Sequence, residues 1–410
     1  MSLRYLTAGE SHGPALVGIL EGMPAGVPVD REAIAHQLAR RRTGHGRSPR
    51  MSFEADRFEI LGGVRHGRTL GSPVALVIHN TEWPKWQDAM AIDAPDDPEA
   101  VAATGRGSPL TRPRPGHADL VGMQKYRFDD ARNVLERASA RETAMRVGLA
   151  AVTRGLLDAL GIERVSHVVR IGDAAVDDDL PLPAPADQQR IDRDPVRCAD
   201  ADASKQMQAA IDEAKAQRDM LGGVIEVLVH GVPPGLGSHV HWDRKLDARL
   251  AAALMSVQAF KAVEIGDGLR LGRVFGSQAH DEIAPAERDA GTGHVGARSR
   301  RAVRRLTDRA GGVEGGMSTG GVLRMRATMK PISSLIQPLR TVDTATGASA
   351  VAITQRSDVC AVPRAGVVAE AVVAHEVARA LLEKTGGDSL GEVRDNLERY
   401  LAALPVTSVP

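Results

Sequence analysis

The segment at residues 366–384 limits the possible folds of this 410-residue chain more than any other. Its sequence, GVVAEAVVAHEVARALLEK, is apolar on almost every side when it is wound into a helix. A helix that is apolar all round is buried among other elements. We therefore predict a buried helix over residues 366–384. The hydrophobic fraction of the chain, 43%, is ordinary for a globular protein and allows a sizeable core.

The charge balance argues against a general nucleic-acid-binding protein. The formal net charge is zero and the isoelectric point is about 7.3, whereas nucleic-acid binders are usually basic. The arginines are nevertheless clustered, with eight in residues 36–68 and six in residues 297–309. Local arginine clusters in a neutral chain favour pockets for anions.

The cysteines and the apolar runs indicate the compartment. Cys198 and Cys360 lie far apart and without CxxC spacing, which predicts neither a disulfide nor a thiolate zinc site. The N-terminal sequence has no secretory signal pattern, and no run reaches the roughly 20 apolar residues of a membrane helix. We expect a soluble, cytoplasmic protein.

Two segments share one pattern of elements. Residues 19–34 and 227–246 each read as a strand, a Gly-x-Pro-x-Gly turn, an Asp-Arg helix cap and a helix. Asp30 and Asp243 are the predicted caps. The length alone allows two or three domains or one large α/β or α+β domain. The internal similarity favours a single domain, residues 1–410, with a pseudo-repeat.

Residues 111–144 concentrate the chemistry of the chain. His117 lies in a Pro- and Gly-rich loop beside Arg112, Arg114 and Asp119, which could tune an imidazole that already titrates near neutrality. Ser139-Ala-Arg-Glu142 matches a capping box at the start of an apolar helix, and a helix N-terminus favours anions. The simpler alternative is that Ser139 only caps and that the cations are solvated.

Other segments offer isolated candidates. Gly9–Gly13 matches GxSxG, but too little chain precedes it for a hydrolase sheet, which leaves Ser11 and His12 as a small-anion or proton-transfer site. The Gly-rich residues 311–321 match neither the Walker nor the dinucleotide spacing. Asp358 could form a surface ion pair or accept a proton. HExxH and clustered carboxylates are absent, so a metal site has little support.

The ordered set of motifs resembles the chorismate synthase family. AGESHG, GHGR, RPRPGHAD, ERASARETA, GGMSTG, MKPISS and RSDVCAVPRAGVVAEA occur in the order of that family and at its usual separations. The resemblance covers about residues 5–391. Each motif is weak by itself, whereas the ordered set is highly specific.

The resemblance implies conversion of 5-enolpyruvylshikimate 3-phosphate to chorismate and phosphate by a 1,4-anti elimination. It also implies a need for reduced FMN, with NADPH as the reductant in members that reduce their own flavin. The implied fold is α+β, with a helical layer between antiparallel sheets and intertwined repeats, assembled as a homotetramer that binds this small-molecule substrate and neither nucleic acid nor a membrane.

The resemblance also assigns residues. His12 would protonate the departing phosphate, His117 would manage the proton of the reduced flavin, and Asp358 would accept a proton near flavin N5. Ser11 is a supporting hydrogen-bonding residue, as is Ser139. The expected flavin contacts are Arg137, Ala138, Ser139, Gln258, Ala259, Gly315, Lys330, Pro331, Ile332, Ser333, Ser334 and Arg356. Arg41 and Arg47 match positions that bind substrate phosphate or NADPH, and Arg112 and Arg132 are weaker substrate candidates.

The sequence departs from the family pattern at Asp308, Thr319 and Phe260, and residues 294–305 are unusually basic. These departures concern loop contacts. The alternatives from other classes are an RNA-binding module that uses the Arg-rich loops and, third, a hydrolase. The neutral isoelectric point and the 3% of aromatic residues count against the RNA-binding module.

Overall fold

The computed structural model describes residues 3–47, 56–286, 301–354 and 358–408. Its helices are α1 (Arg31–Arg40), α2 (Pro98–Ala102), α3 (Asp119–Tyr126), α4 (Arg132–Leu135), α5 (Thr143–Asp158), α6 (Gln188–Arg193), α7 (Ala201–Ala216), α8 (Leu246–Met255), α9 (Gly276–Ala279), α10 (Val362–Thr385) and α11 (Leu390–Ala402). Its strands are β1 (Arg4–Ala8), β2 (Ala15–Glu21), β3 (Phe58–Gly62), β4 (Val64–Arg65), β5 (Arg68–Thr69), β6 (Val74–His79), β7 (Glu163–Ile171), β8 (Ala174–Ala175), β9 (Gly223–His230), β10 (Phe260–Ile265), β11 (Ile283–Ala286), β12 (Ala302–Arg305), β13 (Val313–Glu314), β14 (Met317–Ser318), β15 (Leu323–Met329), β16 (Arg340–Val342), β17 (Ser349–Val351) and β18 (Thr407–Ser408).

The predicted buried helix is confirmed as α10, which is somewhat longer than the sequence indicated. Pro363 lies in its first turn, where the missing N–H costs no hydrogen bond, and Gly386 follows its end. Ala and Val dominate the helix, and almost every residue before Glu383 is buried. Small side chains let neighbouring elements approach α10 from several directions at once.

The first large sheet packs against α5. Its strands are antiparallel in the order β1-β2-β6-β3. The inner face is apolar, and Gly18 of β2 allows very close approach, because a Cβ atom there would lie 2.4 Å from the sulfur of Met145 on α5. The outer face leaves Leu6, Val17 and Ile19 exposed.

The second large sheet packs against α8 and α10. Its strands are antiparallel in the order β10-β15-β9-β7-β8. β15 alternates buried Leu323, Met325, Ala327 and Met329 with partly exposed polar residues, the pattern of a half-buried strand. α5 and α10 also pack against each other, and one hydrophobic core runs through both sheets and these helices. The architecture is therefore α+β.

A buried ion network joins α1, α5 and α10. The carboxylate of Glu370, on α10, accepts hydrogen bonds at 2.9 Å from Arg40, at 3.2 Å from Arg154 and at 3.3 Å from Arg197. Ser166 of β7 donates to the same carboxylate at 2.6 Å. Glu370 is 1% exposed. The network fixes the end of α1, from which the following arginines extend.

One of the two predicted aspartate caps is wrong. Asp30 caps α1 by accepting from the N–H of Glu32. Asp243 instead lies in the 3-10 turn Trp242–Arg244 and pairs with His241, so that α8 begins after Lys245. The extra turn moves the helix start beyond the reach of the aspartate.

Residues 58–79 form β3 and β6 with the small β4–β5 hairpin between them. Within the described ranges, no helix has both the length and the apolar character that a membrane crossing requires. Cys198 and Cys360 are buried and unpaired.

Candidate functional site

A cavity of about 670 Å³ lies where the β1–β2 turn, the start of α10 and the end of β15 meet. Loops from distant parts of the chain close its remaining sides. Its lining comprises residues 11–12, 41, 80, 86, 114, 116–118, 135, 138–141, 143, 257–259, 329–330, 332–334, 358, 361, 364–365 and 368.

The β1–β2 turn presents His12 to this cavity. Asn80 donates to the carbonyls of Ser11 and Gly13 and so holds the turn. The imidazole Nδ1 lies 2.9 Å from both carboxylate oxygens of Glu136. One face of the ring stacks on Trp86, with centroids 3.9 Å apart. These contacts leave Nε2 as the ring nitrogen available to a ligand.

His117 is held by a second carboxylate. Its Nδ1 pairs with Asp119, whose side chain is fully buried at the start of α3. Arg114 donates to the same carboxylate at 2.8 Å. Burial alone would raise the pKa of Asp119, but the hydrogen bonds from His117 and Arg114 and the charge of Arg114 hold it well below its usual range. Asp119 therefore stays ionised and fixes the ring.

Asp358 lies just before α10 and lines the cavity, where it forms an ion pair with Arg364. It is 6% exposed. Burial raises the pKa of the neighbouring Cys360 thiol to about 12, so this thiol is not a thiolate nucleophile at neutral pH. Arg356 lies outside the described residues.

The predicted capping box at Ser139 is half correct. Ser139 caps the short 3-10 helix Ala140–Glu142 by accepting from the N–H of Arg141, and its hydroxyl donates to Ser11 at 3.2 Å. Glu142 does not bond back to Ser139. It accepts instead from Arg146, four residues further along the chain, and from Thr7 of β1.

The segment after β15 holds the His117 loop. Lys330 and Ser333 donate to the carbonyl of Gly116 at 2.6 and 2.9 Å, and Ser334 accepts from Arg114 at 2.9 Å. Ala259 has a φ of +67°, a left-handed conformation that is strained for alanine, and its carbonyl accepts from the N–H of Lys330. This hydrogen bond joins Ala259, on one side of the cavity, to Lys330 on another.

Most of the residues that the sequence singled out meet in this cavity. Those that line it are Ser11, His12, Arg41, His117, Ala138, Ser139, Gln258, Ala259, Lys330, Ile332, Ser333, Ser334 and Asp358. Pro331 does not line it, although its neighbours on both sides do. Gly315 lies in the turn between β13 and β14. Arg47 lies in an exposed loop and donates to the carbonyl of Arg42.

Arg137 points away from this cavity. Its guanidinium donates to the carbonyls of Thr7 and Gly9, and it lines a neighbouring cleft together with Gln258. The weaker candidates Arg112 and Arg132 do not line the main cavity either. The departures Asp308, Thr319 and Phe260 are likewise absent from its described lining.

Sequence reasoning missed three residues of the site. Glu136 and Trp86 contact His12, and Arg364 adds positive charge to the lining. Glu136 and Arg141 stand within the ERASARETA motif, but no local spacing links Glu136 to His12. Only the closure of the β1–β2 turn onto the end of α4 brings them together.

The lining carries more basic than acidic side chains. Its described part has Arg41, Arg114, Arg141, Lys330 and Arg364 against Asp358, while Asp56, whose side chain is buried outside the lining, pairs with Arg141 at 2.6 Å and lies 3.6 Å from Arg41. Apolar side chains, among them Leu135, Val257, Met329, Ile332 and Val368, cover other parts of the wall. The described residues contain no cluster of His, Cys, Asp and Glu suited to a metal ion. The cavity thus suits polyanionic ligands with a flat or apolar portion.

Comparisons with known proteins agree over nearly the whole chain. The family model described as chorismate synthase matches residues 3–382. A chorismate synthase of Frankia casuarinae is 62% identical over 405 residues, which cover 98% of this chain and 100% of the relative. One of Streptomyces coelicolor is 60% identical, with 98% and 99% covered. A solved structure described as the crystal structure of chorismate synthase has a TM-score of 0.75 and 39% identity, and covers 98% of both chains.

Proposed function

We propose roles for the cavity residues from one premise, that the chain belongs to the chorismate synthase family. The protein is a lyase that converts 5-enolpyruvylshikimate 3-phosphate to chorismate and phosphate, a step of the shikimate pathway and of aromatic amino acid biosynthesis. The observation that carries the assignment is the convergence of His12, His117 and Asp358 on one cationic cavity.

The cations of the cavity bind and orient the substrate. The substrate carries one phosphate and two carboxylates, and guanidinium groups match such oxyanions with paired N–H donors. Arg41, Arg114, Arg141 and Arg364 supply those donors from four separate segments. Fixed donors on several sides hold the substrate ring in one orientation. The phosphate then leaves from one face of the ring and the hydrogen from the opposite face.

His12 donates a proton to the departing phosphate. Its Nδ1 is committed to Glu136, so Nε2 is the atom that hands over the proton. The stacked Trp86 shields one face of the ring from water. Ser11 precedes His12, and its hydroxyl accepts a hydrogen bond from Ser139. The Ser11 hydroxyl in turn donates a hydrogen bond to the substrate.

Reduced FMN is the cofactor we propose, and the described lining fits it. The hydroxyls of Ser139, Ser333 and Ser334 and the ammonium of Lys330 offer polar contacts, and the apolar wall suits a flat ring. When bound, reduced FMN supplies transient electron density that helps phosphate to leave. His117, fixed by Asp119, holds a proton at the imidazole on the cofactor side, and the Asp358 carboxylate accepts the proton that the substrate ring loses.

The assay is anaerobic. Purified protein is mixed with chemically reduced FMN and 5-enolpyruvylshikimate 3-phosphate, and chorismate and phosphate are followed together. We expect His12→Gln and Asp358→Asn to lower kcat by about 10²–10⁴-fold, the usual contribution of a positioned acid or base. The control is His241→Gln, since His241 is exposed and does not line the cavity. Rates near that of the wild type in either site variant would refute its role.

Flavin reduction is assayed separately. Oxidised FMN, NADPH and protein are combined without oxygen, and the flavin absorbance is followed. Bleaching that Arg41→Ala abolishes would assign the cavity arginine to NADPH. Arg41 would be assigned to substrate phosphate if Arg41→Ala leaves the bleaching intact. The same assignment would follow if the wild type shows no bleaching and Arg41→Ala raises the KM for the substrate.

We also infer a homotetramer with a single domain per chain. The support is the exposed apolar outer face of the first sheet, where Leu6, Val17 and Ile19 would be covered by another copy. Light scattering after size exclusion gives the mass, and Ile19→Lys should dissociate that contact. The unpaired cysteines support a cytoplasmic location.

The two strand-turn-helix segments support a pseudo-repeat with a helical layer between two sheets. β2 leads through a turn to α1, and β9 leads through a turn to α8. In both turns the first and last glycine of the Gly-x-Pro-x-Gly sequence have positive φ, between +75° and +87°. α5 contacts one sheet, α10 contacts the other, and the two helices pack together.

A further inference from the structure

His12 is restrained on two sides by residues that no sequence motif links to it. The Glu136 carboxylate accepts from the backbone N–H of His12 at 2.9 Å and lies at the same distance from Nδ1. The backbone carbonyl of Glu136 accepts from the N–H of Ser11 at 2.9 Å. Trp86 stacks on the ring with an interplanar angle of 23°.

The burial of Glu136 makes this contact consequential. Its side chain is 1% exposed, and a buried carboxylate is costly unless its oxygens accept hydrogen bonds from polar partners. His12 supplies two such donors, whereas Arg132 lies farther away, at 3.8 Å. A carboxylate at Nδ1 selects the tautomer that carries its proton on that nitrogen, and it stabilises the imidazolium.

We propose that Glu136 is the positioning residue of His12, fixing its tautomer and favouring its protonated form, with Trp86 as the second restraint on the ring. This inference rests on the proposed role of His12 as proton donor. Glu136 itself does not line the cavity, so it acts through the imidazole.

His117 is held by a carboxylate with different partners. Both imidazoles have a carboxylate at Nδ1, but Asp119 also accepts two hydrogen bonds from the Arg114 guanidinium. Its negative charge is therefore largely compensated before His117 is counted. The Glu136 carboxylate instead has His12 at 2.9 Å, through both the backbone N–H and the ring, and the Arg132 guanidinium farther away at 3.8 Å.

The charged neighbours of His12 come from several elements. Glu136 and Arg132 lie at α4, and Arg106, from the surface segment after α2, lies over the Trp86 ring. Arg41, Arg114, Arg141, His117, Lys330, Arg364 and Asp358 line the same cavity. Among these groups, Glu136 is the carboxylate in direct contact with the His12 ring.

Trp86 provides a reporter that is independent of activity. A stacked imidazolium quenches indole fluorescence more strongly than a neutral imidazole. The chain has three tryptophans, so a Trp83→Phe, Trp242→Phe background isolates Trp86. Its emission as a function of pH then follows protonation of His12, and His12→Gln in the same background must abolish the transition.

The decisive variant is Glu136→Gln, which keeps the shape and an acceptor oxygen but removes the charge. We expect the midpoint of the fluorescence transition to move to lower pH by about one unit or more, because an opposite charge within 4–6 Å has that effect. Glu136→Asp should restore much of the shift. An unchanged midpoint in Glu136→Gln, with native circular dichroism, would overturn the proposal.

Kinetics separate this inference from the proposed function. Glu136→Gln should lower kcat at least about tenfold with little change in KM. The alkaline limb of its pH–activity profile should also move to lower pH. A shifted fluorescence midpoint with unchanged kcat would support the positioning of His12 but refute its role as proton donor. A lowered kcat with an unchanged midpoint would refute the positioning role.

Discussion

Replacing Glu370 by glutamine tests how much the buried ion network contributes to stability. The substitution keeps the volume of the side chain and removes one negative charge from the centre of α10. Arg40 and Arg197 would then keep Asp192 as their shared carboxylate, whereas Arg154 would face the new neutral amide and the side-chain oxygen of Gln37.

The magnitude follows from burial. Breaking a buried ion pair by removing one partner costs about 3–5 kcal/mol, since the remaining charge stays desolvated. Asp192 continues to pair with Arg40 and Arg197, which places the expected loss of unfolding free energy near the lower end, at about 3 kcal/mol. The exposed, paired Glu383 on the same helix is the matched control. Glu383→Gln should cost less than about 1 kcal/mol.

The pH dependence provides a second measurement. Burial alone would raise the pKa of Glu370, but the charge and hydrogen bond of Arg40 and the charges of Arg197 and Arg154 hold it well below its ordinary value of 4.5. The unfolded chain therefore takes up a proton near pH 4.5 while the folded chain does not. The contribution of the Glu370 carboxylate to the free energy of unfolding is fully present above that pH. Below it, this contribution falls by about 1.4 kcal/mol per pH unit.

Urea unfolding at one protein concentration measures both effects. The difference between wild type and Glu370→Gln should be constant from about pH 5.5 to pH 8 and should narrow as the pH falls below about 4.5. A difference of less than about 1 kcal/mol at pH 7, or one that widens in acid, would refute the reasoning.

Two further substitutions probe close packing and the second imidazole. Gly18→Ala should lower the unfolding free energy by about 1–3 kcal/mol, because its Cβ atom would overlap the sulfur of Met145; Gly62→Ala, with no atom within 4 Å, is the control in urea titrations. Asp119→Asn should lower kcat severely under saturating reduced FMN while the near-ultraviolet circular dichroism is retained, since His117 loses the charge that fixes its ring. Wild-type turnover would contradict that role.

Local spacing predicted the elements better than it predicted their caps. The apolar residues of α10 and the cap of α1 by Asp30 are encoded within a few neighbouring positions. Whether Glu142 completes a capping box is decided by Arg146 and Thr7, which compete for its carboxylate. Such competition depends on partners that only the folded chain brings together.

The candidate site shows the same division. His117 and its Asp119 partner are two positions apart, and their relation could be suspected from the loop sequence. His12 and Asp358 stand at opposite ends of the chain, and only the family resemblance suggested that they share a site. Glu136 was missed because its partner is fixed by tertiary closure, for which the sequence carries no local signal.

The buried helix α10 has a consequence for synthesis of the chain. It contacts β7 and β9 of the second sheet, and its His375 ring meets Tyr5 of β1 edge-on at 4.6 Å, so both sheets depend on it. Its residues leave the ribosome after those of both large sheets. During translation the nascent sheets therefore expose the apolar surfaces that α10 later covers. Such intermediates are prone to aggregate, and we expect the growing chain to be a client of chaperones until α10 docks.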